Sequence, residues 1–172
     1  MAYTFKVGIS GAGTIGAIHA DALAEIESAT LVAVAEPREE AGRDFARTYD
    51  CSYYASFPEM VTDADIDVVI IATPSGLHPD QTVLAAEHGK HVICEKPMAI
   101  TTEGLDRMIE ATSDAGVQLA VIFQNRLSTD VFRVKRGFEQ GAFGKPVFAN
   151  FAMYWHRTQE YYDANGGWRG TW

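Results

Sequence analysis

The 172-residue sequence predicts an α/β fold, a doubly wound parallel sheet with helices on both faces. Three observations carry that expectation. Apolar runs of strand length alternate with helical stretches, and the connections between them are short. A Gly-x-Gly-x-x-Gly turn stands where the first strand passes into the first helix.

Residues 5–10 read as a short strand ending toward glycine. From Thr14 to Glu27, Ile15, Ile18, Leu23 and Ile26 fall near helical spacing and predict an apolar stripe. The unbroken apolar run Leu31–Ala35 fits a strand covered on both faces. Arg38–Tyr49 reads as a charged surface helix, and the β-branched run in Asp67–Ala72 as a buried strand. Pro79–His88 predicts a helix with proline in its first turn and Gly89 as its stop. His91–Cys94 is the next strand. Thr101–Ala115 follows as a helix capped by Thr101 or Thr102 and ended by Gly116, and Val117–Phe123 is another strand. Beyond it, Ser128–Gln140 reads as a helix, and 147–156 as a long strand with Val147, Ala149, Phe151, Met153 and Trp155 on one face. The remainder reads as irregular. A boundary near residue 124 divides a dinucleotide-binding region, 1–124, from the start of a second domain, 125–172.

Charge divides at the same place. Residues 1–121 hold 7 basic and 19 acidic side chains, whereas residues 122–172 hold 7 basic and 4 acidic. The net charge of -9 argues against a nucleic-acid partner, which needs a basic face. No apolar run approaches the ~18 residues of a membrane span, so no membrane partner is expected. Cys51 and Cys94 are too few for a disulfide scaffold and lack metal-ligand spacing, which predicts reduced thiols in a cytoplasmic protein and no metal site.

The glycine turn is Gly11-Ala-Gly13-Thr14-Ile15-Gly16. Its first glycine permits the tight turn, its second lets backbone approach a pyrophosphate, and its third lets helix and strand pack closely. The helix N-terminus favours the phosphate charge. Glu36 lies about 20 residues beyond Gly16, at the end of the second strand, where a carboxylate accepts hydrogen bonds from adenine-ribose hydroxyls. That favours NAD. Arg38, two residues on, keeps NADP possible because a guanidinium can cradle a 2′-phosphate.

Three more strand ends bring polar loops toward one crevice. Thr73-Pro74-Ser-Gly-Leu-His78 follows the 67–72 strand, with His78 a candidate for lining the cofactor site or a plain helix-start residue. Glu95-Lys96-Pro97 follows the 91–94 strand, and a lysine there can hold a ribose together with a substrate hydroxyl. Gln124-Asn-Arg126 follows the last strand. No nucleophile elbow or paired base supports Ser–His–Asp chemistry.

Together these motifs resemble the Gfo/Idh/MocA family of nicotinamide-dependent sugar oxidoreductases. The resemblance rests on the glycine turn, on Thr73–His78 and above all on Glu95-Lys96-Pro97. It continues through Gly144-Lys-Pro146, Tyr161-Tyr-Asp163 and Trp168-Arg169-Gly-Thr-Trp172. It implies a Rossmann domain followed by the first helix and strand of an α+β substrate domain. It further implies that Lys96 contacts both nicotinamide ribose and substrate, that Pro97 follows a cis bond, and that Trp168-Arg169 lies near the nicotinamide.

Family members are about twice this length, and their usual proton acceptor, a histidine on a helix that also carries an acid, lies past the point matching Trp172. The resemblance therefore implies an NAD(P)-dependent enzyme acting on a sugar, inositol or nucleotide-sugar hydroxyl, of which this stretch binds cofactor with little turnover. His156 is the weaker candidate for a base within the stretch. The alternatives are a dinucleotide-binding sensor without catalysis, or a truncated remnant. The apolar face of the 147–156 strand also predicts a homo-oligomer paired through that strand.

Overall fold

The computed structural model describes residues 3–164 and 166–167. The chain divides into two compact units, residues 1–122 and 123–172.

The first unit opens with β1 (Phe5–Ser10), α1 (Thr14–Ala24), β2 (Ala29–Ala35) and α2 (Glu39–Tyr49). It continues with β3 (Ser52–Tyr54), α3 (Phe57–Asp63) and β4 (Val68–Ile71). A single 3₁₀ turn (Ser75–Leu77) leads into α4 (His78–Glu87), followed by β5 (His91–Cys94), α5 (Thr102–Asp114) and β6 (Leu119–Val121). The six strands form one parallel sheet in the order β3-β2-β1-β4-β5-β6. The chain winds outward from β1 in one direction, then returns to β4 and winds in the other. The crevice beyond the carboxyl ends of β1 and β4 is therefore the topological switch point, where such sheets hold their ligands.

Alternation along the strands sorts the core into two layers. Ala33, Ala35, Val69, Ile71, Val92 and Cys94 face α3, α4 and α5 and meet Met60, Ala85 and Met108. Val34 and Ile70 point the other way, joining Val7 and Ile9 against Ala20 of α1 and Phe45 of α2. Burial on both faces explains why these strands read as unbroken apolar runs.

The stripe expected on α1 is corrected. Ile15, Ile18 and Ile26 are exposed, and the buried face is made of Gly16 and Ala20, flanked by Ala17 and Leu23. The helix lies too close to the sheet at its N-terminal end for a bulky side chain, so small residues occupy the inner face. Thr101, not Thr102, caps α5, its side chain accepting from the Gly104 N–H at 3.1 Å. Gly89 and Gly116 end α4 and α5 as expected, each with positive φ. Two elements had no counterpart in the sequence reading, β3 and α3. The second begins with a capping box in which Ser56 and Glu59 satisfy each other's backbone N–H groups.

The second unit holds a 3₁₀ turn (Gln124–Leu127), α6 (Thr129–Glu139) and a short α7 (Gln159–Asp163) inside the tail expected to be irregular. After α6 the chain folds back so that the Phe143 ring lies 4.8 Å from that of Phe138. A Cβ on Gly137 would sit 2.6 Å from the Phe143 ring, which is why glycine stands there. Residues 147–156 form no strand, contrary to expectation. A strand exists through ladder hydrogen bonds, and none of the described residues pairs with this segment. Its side chains are exposed on both alternating faces, including Val147, Phe148, Phe151, Tyr154 and Trp155.

Candidate functional site

The glycine turn connects β1 to α1 at the switch point, and its three glycines have three different surroundings. Gly11 has φ +102°, and its N–H donates to the Ala35 carbonyl at 2.9 Å; a Cβ there would meet the Ala72 carbonyl oxygen at 2.8 Å. At Gly16 a Cβ would fall 2.0 Å from the Gly11 carbonyl oxygen, so that position cannot carry a side chain without moving the helix. Gly13 is the opposite case, since a Cβ there would meet nothing within 4 Å. The bare Gly13 backbone faces open space. It is also the N-cap of α1, with no side chain to cap the helix and no acid in the first turn, which includes Thr14 and Ile15. Unsatisfied N–H groups, the helix dipole and open space together suit a pyrophosphate.

Glu36, at the end of β2, is buried although charged. Its Oε2 accepts from the Ala12 N–H at 3.0 Å, and its Oε1 accepts from the Arg38 N–H at 3.1 Å. The exposed Arg38 guanidinium folds back on the same carboxylate, with Nε at 2.8 Å from Oε1 and Nη2 at 3.2 Å from Oε2. Burial pushes the carboxyl pKa upward, but Arg38 and the two backbone N–H donors outweigh it and hold Glu36 below the ordinary carboxylate value. Glu36 is thus an anion joined to the middle of the glycine turn.

Beyond β4, Thr73 and Pro74 lead into the 3₁₀ turn. The Thr73 hydroxyl donates to Gln81 Oε1 at 2.8 Å, and the Ser10 hydroxyl at the end of β1 lies 3.3 Å from the same oxygen. Gln81 therefore ties the two strand ends that border the switch point. His78 is 1% exposed, and its two ring nitrogens lie 2.9 Å from the carbonyl oxygens of Pro97 and Thr73. Both nitrogens are engaged with backbone, so His78 joins the two loops and does not present a free nitrogen to a ligand.

Beyond β5 stands Glu95-Lys96-Pro97, whose Lys96–Pro97 peptide bond is cis. The Glu95 N–H donates to the Ile71 carbonyl at 3.0 Å, so the turn begins hydrogen-bonded to β4. Its carboxylate takes His19 of α1 at 2.9 Å and the Lys96 N–H at 3.1 Å. The Lys96 side chain is exposed, and its ammonium has no partner among the described residues. An exposed cation on the turn after β5, joined to the glycine helix through Glu95 and His19, can meet an oxygen-rich ligand.

His19 and Gln81 were missed in the sequence. His19 lies three residues after Gly16, on a helix read for its apolar spacing, and nothing local connects it to residue 95. The second unit carries Gln124 and Arg126 on its opening 3₁₀ turn, both exposed. Trp168 and Arg169 lie outside the described residues. Cys51 and Cys94 are free thiols, and burial raises them to about 11 and about 12 respectively, well away from reactive thiolates. Among the described residues no group of three or more His, Cys, Asp or Glu could hold a metal.

A parallel sheet with this strand order, a glycine turn open at Gly13 and an acid closing the second strand define a dinucleotide-binding Rossmann domain. Residues 5–123 match the family described as "Oxidoreductase family, NAD-binding Rossmann fold". The chain belongs to that family, Gfo/Idh/MocA. It is 33% identical over 142 residues to a myo-inositol 2-dehydrogenase of Thermotoga maritima, covering 82% of this chain and 42% of that protein. To a scyllo-inositol 2-dehydrogenase (NADP(+)) of Bacillus subtilis it is 34% identical over 141 residues, covering 81% of this chain and 38% of that protein. Among solved structures, the WlbA dehydrogenase of Bordetella pertussis in complex with NADH and UDP-GlcNAcA superposes with a TM-score of 0.89 at 36% identity. That match covers 97% of this chain and 51% of the other. The chain thus spans about half the length of the relatives it matches.

Proposed function

We propose that the chain is the cofactor-binding part of an NAD-dependent oxidoreductase acting on a hydroxyl of a sugar, inositol or nucleotide sugar. The observation that carries this reading is the Lys96 ammonium, without a partner among the described residues, on the turn after β5 that Glu95 and His19 tie to the helix following the open glycine turn. Gly13 and the first turn of α1 would receive the pyrophosphate, and Glu36 the adenine ribose. Lys96 would hold the nicotinamide ribose and the substrate hydroxyl together, keeping the hydroxyl oriented while its proton leaves. Bound nicotinamide supplies the redox chemistry. NADP remains the alternative cofactor, supported by Arg38 and by the NADP(+)-dependent relative.

In this reading the substrate domain begins near residue 125. The exposed apolar segment 147–155 supports self-association through that region. The two free thiols and the acidic balance support a cytoplasmic protein without a nucleic-acid partner. No helix among the described residues is long and apolar enough to cross a membrane.

The test follows NADH formation from NAD with a panel of inositols, sugars and nucleotide sugars, alongside NADH titration, for wild type and Lys96→Met. Turnover or NADH affinity that falls with the substitution supports the reading. Turnover that survives Lys96→Met undiminished, or a folded chain that binds no NADH, contradicts it.

A further inference from the structure

We propose that His19 and His78 are positioning residues that aim Lys96, one through the carboxylate of Glu95 and the other through the carbonyl of Pro97. The proposal rests on the reading of Lys96 above and adds what holds that lysine in place.

Lys96 belongs to a turn with exposed residues at 96 and 97, and an exposed loop lysine is ordinarily free to wander. Here the residue on each side of it is fixed by a different helix. On the N-terminal side, Glu95 does not point its carboxylate into the crevice as a free acid. One oxygen lies 2.9 Å from His19 Nε2 and the other accepts the Lys96 N–H at 3.1 Å. The His19 and Glu95 side chains are only 16% and 14% exposed, so solvent and salt screen the contact less than a surface pair. On the C-terminal side, His78 Nδ1 meets the Pro97 carbonyl and Nε2 the Thr73 carbonyl, each at 2.9 Å. Carbonyl oxygens only accept. An imidazolium donates to both, whereas a neutral ring donates to one.

The two histidines stand on helices that themselves border the crevice. His19 is on α1, whose N-terminus forms the glycine turn; His78 is the first residue of α4, which follows β4. The direction of Lys96 is therefore set by the same two elements that frame the dinucleotide site. A site of this kind needs its supporting contacts as much as its reacting group, because misplacement by about an ångström costs a positioned group on the order of 100-fold.

The experiment compares dissociation constants for NADH and for ADP, which ends before the nicotinamide ribose. The variants are His19→Leu, His19→Gln, His78→Leu and His78→Asn, with melting temperatures recorded for each. A purely structural role lowers stability and weakens both ligands together. The proposal expects His19→Leu to weaken NADH about tenfold while ADP changes less than about twofold. It expects His19→Gln, whose amide can donate where Nε2 stood, to restore NADH binding. His78→Asn, which keeps a donor toward Pro97, is expected to outperform His78→Leu; if the leucine variant fails to fold, the His19 pair and Asn variant still decide. In a Lys96→Met background, His19→Leu should cost NADH nothing further, because the effect runs through Lys96. An unmoved NADH/ADP ratio in His19→Leu, or the same loss with Lys96 already removed, overturns the proposal. A wild-type chain that binds no NADH overturns the parent reading instead.

Discussion

Glu36 and Ala12 are joined between neighbouring strand ends: the Glu36 carboxylate, following β2, accepts the N–H of Ala12 at 3.0 Å from the middle of the glycine turn after β1. The contact holds a buried negative charge at the carboxyl end of β2, the place that the proposed site gives to the adenine ribose. Arg38 shares that carboxylate and partly neutralises it.

In the proposed site the balance between these two groups would set the cofactor preference. A 2′-phosphate entering beside Glu36 meets like charge, whereas Arg38 released from Glu36 would attract it. Glu36→Gln is expected to shift the ratio of NAD to NADP dissociation constants toward NADP by about tenfold, on the order of 1.4 kcal/mol. Parallel titrations with both cofactors measure this, and an unchanged ratio would show that Glu36 does not discriminate.

The glycines at 13 and 16 separate binding from folding. Gly16→Ala puts a Cβ 2.0 Å from the Gly11 carbonyl and should destabilise the chain by about 1–3 kcal/mol, because helix or turn must shift. Gly13→Ala meets no protein atom, so its melting temperature should stay near wild type while NADH affinity falls sharply. Thermal melts and titrations on both variants check this, and equal loss of binding without any stability difference would count against the assignment.

Glu36 also gives the fold an acid dependence. Its folded pKa lies below the unfolded value of about 4.3, so the native state binds fewer protons than the unfolded chain. The resulting stabilisation is complete above the unfolded value and is lost as pH falls through the folded one. Asp67 adds to this: the Lys6 N–H donor at 2.8 Å holds its carboxyl low. Glu36→Gln should flatten the fall of melting temperature below about pH 5, and Asp67→Asn should flatten it further. A slope unaltered by both would locate acid sensitivity elsewhere.

Packing of α5 is tested by two adjacent residues. Met108 is fully buried against the layer of Val92 and Cys94, and Met108→Ala should cost about 2–5 kcal/mol. Its neighbour Ile109 is 50% exposed, and Ile109→Ala should change stability by only about 0.5 kcal/mol. Urea unfolding midpoints compare them directly.

The sequence showed most of the sheet because burial on both faces leaves unbroken apolar runs, as in Val68–Ile71 and Leu31–Ala35. It showed the glycine turn because the spacing is local. What it hid is mostly long-range. His19 meets Glu95 only after α1 and β5 are brought together, and Gln81 acquires its role by lying between Ser10 and Thr73. The capping box at Ser56 and Glu59 is a local signal that could have marked α3, yet the element was not anticipated. The inner face of α1 was misjudged because large apolar residues stand out in a pattern, whereas close approach to a sheet selects Gly16 and Ala20. The run 147–156 has the alternation of a strand but no partner to hydrogen-bond, and alternation does not supply one.

The central claim is that the turn at Gly11–Gly16, Glu36 and Lys96 form one dinucleotide site. Isothermal titration of the 172-residue chain with NADH tests it most directly, with Gly13→Ala as a folded control. The account predicts saturable binding at one site per chain, lost in Gly13→Ala without loss of fold. A chain that melts cooperatively yet takes up no NADH, or binds it equally well after that substitution, would contradict it.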